Sequence, residues 1–432
     1  MINKDFKRRR DFLLNKIEDN SIVFLFSGLE KSRNNDVNYK FRQSSNFFYL
    51  TGINNPSMLL VITKISGLHS TTLVCDRPND IDKIWHGQLP SKSSYKNQFE
   101  IQNVLYFDEL ESLELNDANN IYFEFADENR LNEFISNLNL SQPQSRYLRN
   151  NTSRSTKIDL SNLIFDMRRI KSKSEVSLIR HAAKISANAH INLMKSCKSG
   201  LKEYEVEADF IKHCMSERCE QAYPAIVASG KNACVLHYTK NNSTLRSNSL
   251  LLVDAAAEYD NYASDITRTI PVSGKFNEFQ KKIYEIVLKA QTMAIKACKP
   301  DRTLIDIHNV AVKHITKGLI EAKILRGKLE RNIKEEKYKK YYMHNTGHWL
   351  GLDVHDPSSY SINGKPIKLK SGMIFTVEPG IYINKEPGIE KGFHNIGVRI
   401  EDDVLITDSG CEVLSRDVPK SVKDIEKIMS HA

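Results

Sequence analysis

Apolar positions recur along this chain in two rhythms. Residues 21–26 (SIVFLF), 58–65, 71–75 and 120–125 are short apolar runs rich in β-branched and aromatic side chains, which predicts buried strands. Residues 5–17 and 128–138 instead repeat their apolar side chains at helical spacing. Such alternation predicts an α/β domain in the first 165 or so residues. The polar and aromatic stretch 36–52 (DVNYKFRQSSNFFYLTG) fits neither rhythm and reads as irregular. Residues 142–155 are polar and aperiodic, as a linker or edge loop would be.

Beyond that stretch the order changes. Ser172-Lys173-Ser174-Glu175 has the spacing of a capping box, and the helix it opens carries an apolar stripe at Leu178, Ala182, Ile185, Ala189 and Leu193. Further helices are predicted over 203–218, 278–297 and 304–322, with strands over 225–229, 250–257, 266–272, 373–377 and 397–407. These do not alternate strictly, so the second domain reads as α+β. The boundary falls near 166–171, giving domains of 1–167 and 168–432.

Composition removes some functions. The 432 residues hold 62 Lys and Arg against 53 Asp and Glu, a net charge of +9. The basic residues are densest at 326–340 (RGKLERNIKEEKYKK), where acids interrupt them. That suits a solvated helix face rather than a nucleic-acid footprint, which needs one sign of charge. The seven cysteines are odd in number and form no CxxC pair, so reduced thiols and a cytoplasmic location are expected. Lys7, Arg8, Arg9 and Arg10 precede an apolar run too broken by charge for a signal peptide. No apolar run approaches the ~20 residues of a membrane span.

The candidate chemistry gathers around 343–356 (MHNTGHWLGLDVHD), which holds His344, His348 and His355. Gly347 and Gly351 disfavour a helix there; a loop is expected, its glycines letting backbone approach a ligand. The bland alternative is a surface loop with scattered histidines. Four carboxylates in strand-like settings weigh against it. Residues 250–257 and 263–272 flank a polar turn and read as a hairpin. A register centred on Tyr259 and Asp260 sets Asp254 directly opposite Asp265, a like-charge pair that destabilises unless a metal or a cation neutralises it. The competing reading has one aspartate bonded to Arg268 or to turn backbone in another register. Glu378 ends the run MIFTVEPG, and Glu401 lies two residues after Arg399, on the same strand face. Two aspartates, two glutamates and a histidine are a donor set for a pair of divalent ions, manganese first, with cobalt or zinc as alternatives. HExxH, GxSxG, P-loop and GxGxxG motifs are missing.

LLVDAAAEYDNYASDITRT, MHNTGHWLGLDVHD, FTVEPGIYI and GVRIEDD, in this order, resemble the metallopeptidases of the pita-bread fold, and aminopeptidase P above all. RQSSNFFYLTG at 42–52 resembles a signature of that family's N-terminal domain, so the resemblance covers nearly the whole chain. It implies an α/β N-terminal domain that shapes the substrate site and mediates oligomerisation, followed by a catalytic pita-bread domain. It implies that Asp254, Asp265, His348, Glu378 and Glu401 bind two metal ions, with Asp265 and Glu401 bridging. His237 and His355 would contact substrate or stabilise the tetrahedral intermediate. His344, Tyr382 and Arg399 would line a proline pocket. Asp36 and Trp85 would help build the substrate site, Trp85 from a neighbouring subunit of a homo-oligomer (dimer or tetramer). The implied activity is release of the N-terminal residue from peptides with proline second. Prolidase, acting on Xaa-Pro dipeptides, is the nearest rival, and a non-catalytic binding or chaperone module of the same fold is another. Asn345-Thr346 stands where Gly-Leu is more usual, and Ala255 where glycine is common; neither change removes a donor.

Overall fold

Residues 21–26 form a strand buried along its whole length, as a doubly covered central strand must be. The computed structural model describes residues 3–113, 115, 118–141 and 155–430. It divides into two compact units, Met1–Arg168 and Arg169–Ala432. All but Ser155 of the polar stretch 142–155 lies outside the described residues.

The first unit is built on a six-stranded mixed sheet in the order Asn103–Tyr106, Leu68–Cys75, Leu59–Ile65, Ser21–Phe26, Asn120–Phe123, Thr156–Asp159. Ser21–Phe26 pairs antiparallel with Leu59–Ile65 and parallel with Asn120–Phe123. Helices Asn3–Leu14 and Glu128–Ser141 stand where periodicity places them. The stretch expected to be irregular is not wholly so. Ser45–Thr51 is a helix with every residue buried. Being buried all round, it has no polar face to betray its period. Arg9 and Arg10 donate to the carbonyls of Tyr49 and Leu50 at its end, satisfying acceptors that a short buried helix leaves open.

In the second unit the capping box forms. Ser172 Oγ accepts from the Glu175 amide, Glu175 Oε2 accepts from the Ser172 amide, and helix Lys173–Ser196 follows. Its buried face is wider than the expected stripe: Ile179, Ala183 and His190 join it, while Leu178 sits on the flank, half-buried. Helices Glu203–Ser216, Glu278–Ala297 and Leu304–Glu321 also form. With three small sheets they enclose one large core.

The strands differ from the expected runs in ways that matter for the site. Leu250–Asp254 lies between Ile226–Ser229 and Thr267–Pro271 in one sheet, whereas Ala257–Tyr259 joins another. The hairpin turns on Asp260 and Asn261, both with positive φ (48° and 65°), the backbone of a two-residue type I′ turn. Asp254 therefore faces Thr267, not Asp265. The register is shifted because the turn chemistry fixes it. The two aspartates are diagonal neighbours on one face rather than a direct pair. Residues 397–407 are likewise two strands, Ile396–Arg399 and Asp402–Ile406, in different sheets. The crossing is held by the Glu401 amide donating to the Thr267 carbonyl and the Ile400 amide to that of Pro379. Glu401 sits at this break.

Candidate metal centre

Each acid of interest occupies the end of a strand, where the ladder stops and a side chain can turn into a shared space. Asp254 closes Leu250–Asp254, Glu378 follows Ile374–Val377, Glu401 precedes Asp402–Ile406, and Asp265 precedes Thr267–Pro271. His348 comes from the 343–356 loop, which is irregular as expected and docks through a bridge between Trp349 and Phe375. The glycines are also needed for packing. A Cβ on Gly347 would lie 1.9 Å from the Thr376 carbonyl oxygen, and one on Gly351 2.7 Å from Asp356 Oδ2. Both glycines admit neighbouring protein atoms, and Gly347 also lines the cavity. Asp356 is in turn fixed by a buried ion pair with Lys171, 3.0 Å long.

These elements enclose a cavity of about 380 Å³ lined by Asp254, Asp265, His348, Glu378 and Glu401, together with His237, His344, His355, Tyr360 and Arg399. Asp265, His348 and Glu401 each present a ligand atom, all within 4.8 Å of one another. His348 Nε2 stands 3.3 Å from Asp265 Oδ2 and 3.7 Å from Glu378 Oε1. Its Nδ1 lies 3.0 Å from the Trp349 carbonyl. A proton on Nδ1 donates there and leaves the Nε2 lone pair aimed at the acids, the tautomer a metal ligand requires.

The electrostatics ask for more positive charge than the protein supplies. Among the described residues lining the cavity, Arg399 is the one Lys or Arg. Its Nη2 is 2.6 Å from Asp254 Oδ2, its Nε donates to Thr267, and Thr267 donates to Glu401 Oε2. Burial, and then the fields of Asp265 and Asp254, push the Glu378 carboxyl up to about 7 against the pull of His348 and Arg399. Burial and the charges of Asp265, Glu378 and Asp254 hold Glu401 well above the usual carboxylate range. Burial lowers His348, yet the Asp265 hydrogen bond and the Glu378 charge outweigh it and raise the imidazole to about 9.

Sequence reasoning did not find Tyr223. Its hydroxyl lies 2.7 Å from Asp254 Oδ1 and 2.5 Å from Asp265 Oδ1. One O–H proton cannot serve two ionised carboxylates, so the contact itself signals a deficit of positive charge. Nothing in Ala222-Tyr223-Pro224 marks this tyrosine; antiparallel pairing of Ile226 with Asp254 brings it in. The donors present, mainly carboxylate oxygens with one imidazole, fit hard to borderline divalent cations.

The remaining expected site residues divide. His344 lines the cavity, and burial together with Arg399 lowers it to about 4. Tyr382 is buried behind it and does not line the cavity. The Tyr382 hydroxyl lies 2.9 Å from His344 Nε2 and accepts from Arg399 Nη1. His355 packs edge-on against His348, ring centroids 4.2 Å apart, and His237 stands exposed on the rim. Asp36 and Trp85 belong to the first unit, are exposed, and are not among the residues lining this cavity. Arg268 bonds neither aspartate. It forms a buried pair with Asp402, 2.7 Å long, behind Glu401.

An α+β domain whose strand ends collect four carboxylates and an imidazole around one cavity is that of a metal-dependent hydrolase with a dinuclear site. The model of metallopeptidase family M24 matches residues 177–408, and that of the aminopeptidase P N-terminal domain matches residues 6–122. The Xaa-Pro aminopeptidase of Haemophilus influenzae is 36% identical, the alignment covering 99% of this chain and 97% of that protein. The Xaa-Pro aminopeptidase of Escherichia coli is 34% identical, with the same coverage. A structure of zinc-substituted E. coli aminopeptidase P in complex with product superposes with a TM-score of 0.94 at 32% identity, over 100% of this chain and 99% of that one. This chain belongs to metallopeptidase family M24 and carries the aminopeptidase P N-terminal domain ahead of its pita-bread catalytic half.

Proposed function

We propose that this protein is an Xaa-Pro aminopeptidase, releasing the N-terminal residue from peptides whose second residue is proline. The observation that carries the reading is full-length likeness to Xaa-Pro aminopeptidases in both halves of the chain. Asp254, Asp265, His348, Glu378 and Glu401 would hold two divalent ions; manganese is the first choice, with cobalt or zinc as alternatives. When bound, such ions supply Lewis acidity, polarising a carbonyl and making water acidic near neutral pH.

The chain's own residues do the rest. Glu378 takes a proton from the attacking water and passes it to the leaving proline nitrogen, general acid–base work worth roughly 10²–10⁴ in rate. His237 or His355 donates to the oxyanion, about 3 kcal/mol per donor. An Xaa-Pro bond is a tertiary amide with no N–H, so the site recognises a ring and not a donor. The neutral face of His344 suits that ring, while Tyr382 acts from behind by fixing both His344 and Arg399.

The N-terminal unit is read as the oligomerisation domain of a homo-oligomer. Ile81, Ile84 and Trp85 on helix Asp80–His86 are 69–80% exposed, an apolar patch that favours association. No helix among the described residues is long and apolar enough to cross a membrane. The seven cysteines are unpaired, which supports a cytoplasmic setting.

The decisive experiment strips the metal and adds manganese back before offering Gly-Pro-Xaa peptides and Gly-Pro dipeptide. Turnover restored on the longer peptides supports the reading. Restored turnover confined to the dipeptide would make the enzyme a prolidase, and full metal content without hydrolysis of either would leave a binding module.

A further inference from the structure

Fourteen residues, 230–243, separate the end of strand Ile226–Ser229 from the segment that leads into Leu250–Asp254. This connection carries Leu236 and His237 to the cavity. Apart from a short 3₁₀ turn at Gly230–Cys234 it has no regular structure of its own. A chain of that length with an exposed histidine on it has little intrinsic reason to hold one conformation.

What holds it is a carboxylate outside the cavity. Glu203, at the start of helix Glu203–Ser216, is 0% exposed and, among the described residues, faces no cation in an ion pair. Its Oε1 accepts from the Ser229 amide (2.7 Å), the Ser229 hydroxyl (2.8 Å) and Asn232 Nδ2 (3.0 Å). Its Oε2 accepts from the Tyr238 hydroxyl (2.8 Å) and the Ser243 amide (2.8 Å). The five donors come from both ends of the connection and from its middle, and Tyr238 is the residue next to His237. One turn further along the same helix face, Glu207 accepts from Asn241 Nδ2 (2.9 Å). Asn241 is itself buried, at a positive φ of 43°, and it bonds the Ala225 carbonyl and the Val227 amide. Burying an ionised carboxylate without a counter-charge is costly unless hydrogen bonds replace its water. A fully engaged Glu203 therefore specifies the path of this loop.

We infer that Glu203 is a positioning residue for catalysis: by collecting five donors from the 229–243 segment it sets where His237 meets the substrate. The inference rests on the Xaa-Pro aminopeptidase reading for the chemistry His237 performs, but not for the anchoring itself. Glu203→Gln keeps the size of the side chain and replaces acceptor capacity with an N–H₂ group, so it breaks part of the set. Tyr238→Phe removes a single donor and serves as the milder variant.

Two measurements on the full-length, metal-loaded protein test it. Amide hydrogen exchange is expected to accelerate at Ser229 and across 230–243 in Glu203→Gln, with helix Glu278–Ala297 unchanged. Steady-state kinetics on a Gly-Pro-Xaa peptide are expected to show kcat lowered roughly 10–100-fold with KM little altered and metal content unchanged. Tyr238→Phe should move the same way by less. In a His237→Ala background, Glu203→Gln should cost nothing further, because the group it positions is gone. A loss that multiplies with that of His237→Ala would overturn the inference, as would unaltered exchange over 230–243. If the wild-type protein does not cleave Xaa-Pro peptides the functional reading fails, and the exchange experiment still decides whether Glu203 anchors the loop.

Discussion

Glu378 collects more roles than any neighbour: it lines the cavity, it lies 3.7 Å from His348 Nε2, and burial lifts its carboxyl to about 7. Exchange to glutamine preserves shape and removes the proton-carrying function. Glu378→Gln is expected to lower kcat on Gly-Pro-Xaa by roughly 10²–10⁴-fold, read by steady-state kinetics with metal content assayed in parallel. Near wild-type turnover at full metal loading would remove the shuttle role. At this scale the sequence showed which residues carry donors, because carboxylates beside apolar runs stand out. It did not show Tyr223, whose hydroxyl reaches Asp254 and Asp265 across a strand pair, nor that Tyr382 stands behind His344 rather than in the cavity. Direction of approach belongs to packing, and no periodicity encodes it.

Elements tell a similar story with larger energies. The helices 278–297 and 304–321 form within a residue of the ranges read from the sequence, and the structure closes each with a side-chain cap, Asn277 and Thr303. The hairpin register was not legible. Asp260 and Asn261 both adopt positive φ, and moving the turn by one residue shifts every cross-strand partner. The break at Glu401 was also hidden, because Gly397 through Thr407 reads as one continuous strand. Docking of the histidine loop depends on Gly347, where a methyl group would meet the Thr376 carbonyl oxygen at 1.9 Å. Gly347→Ala is expected to destabilise the fold by about 3 kcal/mol or more, the upper part of the range for overpacking, since backbone and not a flexible side chain is in the way. Urea denaturation measures it; a midpoint equal to wild type would show that the loop can shift freely.

For the molecule as a whole, the site is a concentration of buried negative charge that the fold itself does not neutralise. Ions that bind only the folded state stabilise it by about 2.7 kcal/mol at a hundredfold excess over Kd. Chelation should therefore lower Tm by roughly 3 °C per ion released for a protein of this size, and manganese should restore it. A Tm indifferent to complete metal removal would contradict the metal reading of the acids. The sequence by itself determined the two-part α/β and α+β organisation, the long helices and the inventory of donors, because those follow from local periodicity and residue chemistry. Only the tertiary structure decided how the acids face one another, which arginine partners which acid, and that a buried glutamate on helix 203–216 holds the loop bearing His237. These depend on contacts between residues far apart in the chain, and such contacts are set by turn geometry and close packing rather than by any neighbour in sequence.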